Sequence, residues 1–112
     1  MGSRAKVGKG EIVRLRSETR ETFLLCRKCS RRLDGGFGPE GKDPLRAVLR
    51  EELRRRNTRR SVRLLEVGCL GVCPKKGVTI ARSSLPGELL VIGRGAEPAQ
   101  VLDVPPAPEK PG

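Results

Sequence analysis

The chain has 112 residues, room for one domain with a small core, and carries 24 Lys and Arg against 13 Asp and Glu, a net charge of +11. That excess fits either an anionic partner (nucleic acid, a membrane surface, an acidic protein) or a basic face that only solvates the chain. With no His, the usual general base and any Cys-His dyad are excluded, and with two Phe and no Trp or Tyr the core is light in aromatic bulk.

Residues 1–19 read as a flexible basic arm with Ile12, Val13 and Leu15 as its apolar cluster, a candidate for a short added strand. Met1 to Lys6 has no apolar run behind it, unlike a signal peptide, and Lys6 breaks the myristoylation pattern. No stretch approaches the ~20 apolar residues of a membrane helix, so no membrane insertion is expected. The expected compartment is the reducing cytoplasm, where four cysteines in two close pairs point to a metal or redox site rather than to disulfides.

Thr22-Phe23-Leu24-Leu25 suits a buried strand, with Cys26 and Cys29 directly after it. Ser30 to Lys42 holds four glycines and a proline and reads as a loop. Asp43-Pro44 opens a helix, Asp43 capping it and Pro44 in the first position. Leu45, Val48, Leu49 and Leu53 share one face of that helix; Glu51 with Arg55 and Glu52 with Arg56 are i, i+4 pairs, and Asn57 ends it. Val62 to Val67 is a second strand, which empties into Gly68-Cys69-Leu70-Gly71-Val72-Cys73-Pro74. Val78 to Arg82 and Leu89 to Ile92 make a hairpin through Pro86-Gly87, a type II turn pair. Ala96 to Asp103 supports one weak helical turn, and a Pro-rich, disordered tail follows from Pro105. The expected organisation is an arm over 1–19, one domain over 20–95, and a turn plus tail over 96–112.

The order of elements predicts an α/β, β-α-β-β-β fold whose first two strands are parallel and joined by a right-handed crossover. Parallel neighbours end on the same sheet edge, about 4.8 Å apart, and that edge is where such sheets bind ligands. Cys26 and Cys29 on one loop, Cys69 and Cys73 on the other, are thereby expected to hold one metal. Four soft thiolates suit zinc or an iron–sulfur cluster. Zinc knuckles usually repeat a two-residue spacing, whereas the second pair here is spaced by three residues, with Leu70 and Val72 to shield a cluster. Gly68 and Gly71 either bring backbone amides to the sulfurs or serve only as turn residues.

The run Val67-Gly68-Cys69-Leu70-Gly71-Val72-Cys73 resembles the C-L-G-x-C loop of thioredoxin-like [2Fe-2S] ferredoxins. With Leu25-Cys26-x-x-Cys29 it is closest to a small bacterial family described as predicted metal-binding or (2Fe-2S) ferredoxin proteins, with CxxC and CLxxC motifs, over roughly residues 21–94. The first pair is spaced more tightly than in the better-known ferredoxins of this kind. The resemblance implies a thioredoxin-like four-stranded mixed sheet, a [2Fe-2S] cluster on Cys26, Cys29, Cys69 and Cys73, and electron transfer rather than enzymatic activity.

Both cysteine loops carry cations: Arg27, Lys28, Arg31 and Arg32 on one, Lys75 and Lys76 on the other. They are expected to ring the centre and dock an acidic redox protein. The alternative function is a zinc-stabilised basic module gripping nucleic acid through Arg54 to Arg60, although the chain lacks the aromatics that stack on single-stranded bases. A thiol–disulfide enzyme using Cys26 and Cys29 ranks third. Its activation needs a helix N-terminus at the pair, and the helix is expected only near Asp43.

Overall fold

A computed structural model describes residues 6–105, so the first residues of the arm and most of the Pro-rich tail lie outside the described residues. The chain runs β1 (Glu21–Cys26), α1 (Arg27–Leu33), α2 (Leu45–Arg55), β2 (Val62–Val67), β3 (Gly77–Arg82), β4 (Leu90–Gly93) and α3 (Pro98–Leu102). It is an α/β fold with one four-stranded mixed sheet in the order β2-β1-β3-β4. As expected, β1 and β2 are parallel, while β3 pairs antiparallel with both β1 and β4. Among the described residues no helix is long and apolar enough to cross a membrane.

The register of β1 on β2 runs from Glu21 opposite Val62 to Cys26 opposite Val67. The two strands therefore stop level, and both cysteine loops start from one edge. Side chains alternate across the sheet. Phe23 and Leu25, with Ile80 paired to Leu25, are buried beneath the helices together with Leu45, Leu49, Leu53, Phe37 and Val101. Leu65 and Val91, at positions of the opposite parity, are exposed. One face of the sheet thus carries the core, and the other is largely open.

Helix α2 buries Leu45, Val48, Leu49 and Leu53, the face read from the sequence. Asn57 takes a left-handed φ of 58° just beyond its end, also as expected. Its start differs. Pro44, not Asp43, is the N-cap, and Asp43 instead exchanges two backbone hydrogen bonds with Phe37, at 3.0 and 2.9 Å. Of the two expected i, i+4 pairs, Glu52–Arg56 forms at 2.9 Å; Glu51 pairs with Arg54 and Glu52 also takes Arg55, because residues three apart lie as close as residues four apart.

Two further expectations are corrected. Ile12 to Leu15 forms no strand; these side chains are exposed and pair with no edge. The segment after Cys26 is not all loop, since Arg27 to Leu33 is helical. Asp34, left-handed at φ 51°, closes that helix with its amide on the Ser30 carbonyl at 3.0 Å. The helical turn expected within Ala96–Asp103 forms as α3, and it buries Val101 and Leu102, so the packed region reaches beyond residue 95. In the β3–β4 hairpin Gly87 supplies the positive φ of 83° that its turn requires, and Leu85 folds inward.

Candidate metal centre

The site begins at the end of β1. Cys26 is the last residue of the strand and also the N-cap of α1, and its sulfur accepts from the Cys29 amide at 3.4 Å. Cys29, one turn into the helix, is buried like Cys26. The loop after β2 lies against this pair. The Lys28 amide donates to the Gly68 carbonyl at 3.3 Å, and the Cys26 thiol faces the same carbonyl at 3.8 Å. The Cys29 thiol donates to the Val72 carbonyl at 3.7 Å. Thr79 on β3, wholly buried, donates its hydroxyl to that carbonyl at 2.9 Å. Sequence reasoning passed over Thr79; a lone hydroxyl in an otherwise apolar strand run was the available signal.

The two loops therefore meet as the parallel strands require, but the four sulfurs are not equivalent. Cys26 and Cys29 are buried, whereas Cys69 and Cys73 are exposed, and all four are free thiols. Among the described residues no group of three or more Cys, Asp or Glu side chains is arranged to hold a metal ion. The donor set fits a thiophilic metal in its chemistry, and its loops are bonded together.

The loop glycines divide their roles. Gly71, at φ 89°, aims its amide at the Cys69 sulfur at 3.3 Å, as an amide donor to a thiolate should. Gly68 acts through its carbonyl instead, accepting from Lys28 and Cys26. Leu70 packs against the core. The Val72 side chain is exposed, so it shields nothing, and its contribution is the carbonyl that receives Cys29 and Thr79.

Burial opposes ionisation of Cys26, yet the Cys29, Leu70 and Lys28 amides and the Cys29 thiol outweigh it and hold Cys26 below the ordinary thiol value. Cys29 moves the other way, raised by burial and then by neighbouring Cys26, with Thr79 pulling partly back. Arg27, Lys28, Arg31 and Arg32 all lie on α1 and, like Lys75 and Lys76 on the second loop, are exposed. None of the six has a carboxylate within ion-pair distance among the described residues.

The start of α1 also removes the ground on which thiol–disulfide chemistry ranked third. A helix does begin at the first cysteine pair, and its N-cap is Cys26 itself. Its heptapeptide Arg-Lys-Cys-Ser-Arg-Arg-Leu is too short and too charged to show a helical stripe. Compared with protein-family models, curated proteins and solved structures, the chain gives no match.

Proposed function

We propose that this chain is a small cytoplasmic electron-transfer protein, not an enzyme, that carries one [2Fe-2S] cluster on Cys26, Cys29, Cys69 and Cys73. The supporting observation is the bonding of one cysteine loop to the other, the Lys28 amide donating to the Gly68 carbonyl at 3.3 Å. Such a cluster, when bound, supplies one-electron redox chemistry. The chain's own groups tune it. The Cys29 amide on the Cys26 sulfur and the Gly71 amide on the Cys69 sulfur favour added negative charge, which raises the potential. Arg27, Lys28, Arg31, Arg32, Lys75 and Lys76 form a basic rim suited to an acidic redox protein.

The test is anaerobic purification with a visible spectrum and metal analysis, followed by Cys→Ser substitution at each of the four positions. An iron–sulfur spectrum lost in every variant supports the reading. Stoichiometric zinc without visible absorption replaces the cluster with a structural zinc, and a variant that keeps full metal removes its cysteine from the ligand set.

A second reading is favoured by one observation, the Cys29 amide on the sulfur of Cys26 at the head of α1. There the Cys26 thiolate attacks a substrate disulfide and expels one substrate thiolate, and Cys29 then attacks the mixed disulfide, releasing the second substrate thiol and leaving a Cys26–Cys29 disulfide that an external dithiol reduces. Metal-free protein that reduces a dithiol-accessible disulfide substrate, losing this with Cys26→Ser but keeping it with Cys69→Ser, would establish that reading over the cluster.

A further inference from the structure

The end of the sheet opposite the cysteines carries a second cluster. Arg50 of α2, Arg59 and Arg60 of the following turn, and Arg63 of β2 line one open concavity of about 290 Å³, with Thr19 from the arm at its rim. Arg59 and Arg60 are shared with an adjoining concavity of about 780 Å³, which Arg54 and Asn57 extend along the helix end.

The arginines of this region fall into two sets. Arg54, Arg55 and Arg56 are paired, with Glu51, Glu52 and Asp103 at 2.8 to 3.4 Å. Arg50, Arg59, Arg60 and Arg63 have no carboxylate within ion-pair distance among the described residues, and all four are exposed. Yet the turn that presents them is held in place. The Thr58 amide donates to Leu53 at 3.0 Å, the Ser61 amide to Thr58 at 3.1 Å, and the Arg20 amide to the Ser61 carbonyl at 2.7 Å. Four unneutralised guanidinium groups on a fixed concave backbone repel one another, and a bound polyanion relieves that repulsion.

We propose that this concavity binds the phosphodiester backbone of double-stranded nucleic acid. Guanidinium groups match phosphate oxygens in bidentate geometry. Single-strand recognition relies on aromatic stacking, and the only aromatics of the chain, Phe23 and Phe37, are buried. The site therefore contacts backbone rather than bases, and it does not read sequence. Four residues of β2, Leu64 to Val67, separate Arg63 from the start of the Cys69 loop at Gly68, a span of roughly 16 Å, so this site is independent of the metal centre.

The experiment is fluorescence anisotropy on the full chain with 20-base-pair DNA and RNA duplexes, the matching single strands, and vesicles of phosphatidylglycerol in phosphatidylcholine, at several salt concentrations. Duplex binding with a log–log salt slope of about −3.6 for four phosphates on DNA is expected. Whichever duplex binds tighter identifies the source. Arg59→Ala with Arg60→Ala should flatten the slope by about 2 and weaken duplex binding at least tenfold, with metal content and circular dichroism unchanged. A Lys75→Glu, Lys76→Glu variant should leave the slope alone. Single strands or vesicles bound as tightly as duplex, an unchanged slope in the arginine variant, or a slope carried by Lys75 and Lys76 would each overturn the proposal.

Discussion

The Lys28 amide donates to the Gly68 carbonyl across 3.3 Å, and this bond joins the first turn of α1 to the loop that follows β2. The two residues are forty positions apart in sequence. They meet because β1 and β2 end level, Cys26 opposite Val67. The second cysteine loop is thus held at its first residue, while its later part is shaped by Gly71.

Gly71 has φ 89°, and a methyl group there meets no neighbouring atom, so backbone strain alone opposes a side chain. Gly71→Ala should cost about 1–2 kcal/mol and misdirect the amide that points at Cys69. Gly68 has neither a positive φ nor a neighbour within 4 Å, and Gly68→Ala should be near neutral. Thermal unfolding and the metal content of the two purified variants check this: the first should fall in both and the second in neither. Equal behaviour would mean that the φ at Gly71 is of no consequence.

On the proposed electron-transfer reading, reversing Arg27, Lys28, Lys75 and Lys76 to Glu should slow electron transfer to an acidic acceptor and flatten its dependence on ionic strength. All four are exposed, so the fold and the metal content should be retained. An unchanged rate with an unchanged salt slope would show that the rim only solvates the loops.

Arg82 is half-buried at the end of β3, paired with Glu21 at 2.7 Å, 4.7 Å from the centre of the Phe23 ring, and it donates to the Val101 and Val104 carbonyls at 3.4 and 3.1 Å. It clamps α3 to the sheet. Arg82→Ala leaves the Glu21 carboxylate with only the Ser84 hydroxyl and frees those carbonyls, and it should destabilise the domain by about 2–3 kcal/mol. Arg82→Leu with Glu21→Leu should recover part of that loss, because no charge is then left unpaired. Denaturant titration of the single and double variants tests this.

Asp103 receives both NH groups of Arg56, at 2.8 and 2.9 Å, and this hydrogen bonding holds its carboxyl below the ordinary value of 3.8. A depressed folded pKa contributes stability above the unfolded value, and that contribution is lost as pH falls through the folded one. Asp103→Asn should therefore be less stable than the parent near neutral pH, with the difference closing as the medium is acidified below about pH 4. A difference that grows on acidification would contradict the pairing.

The one-sided sheet predicts a contrast between two leucines. Leu49 is wholly buried, and Leu49→Ala should cost about 2–5 kcal/mol. Leu65 lies on the open face, and Leu65→Ala should change stability by less than about 0.5 kcal/mol. A large loss at Leu65 in equilibrium unfolding would mean that this face is covered in solution.

The sequence by itself determined the strands, the buried stripe of α2 and the convergence of the cysteine loops. These follow from period and connection length, which are local properties: Leu45, Val48, Leu49 and Leu53 repeat at helical spacing, and a strand–helix–strand order forces parallel pairing. Tertiary structure alone decided the rest. Helix α1 has no apolar stripe to announce it; it is held by packing of Cys29 and Leu33 and by its caps. The burial of Cys26 and Cys29 against the exposure of Cys69 and Cys73 depends on which loop the core covers, and no spacing encodes that. The same holds for the arginines. Their run along the chain is plain in the sequence, but ion pairing is a matter of reach. Only the fold gives Arg56 to Asp103, forty-seven residues away, and gathers Arg59 and Arg60 with Arg50 and Arg63 around one open concavity.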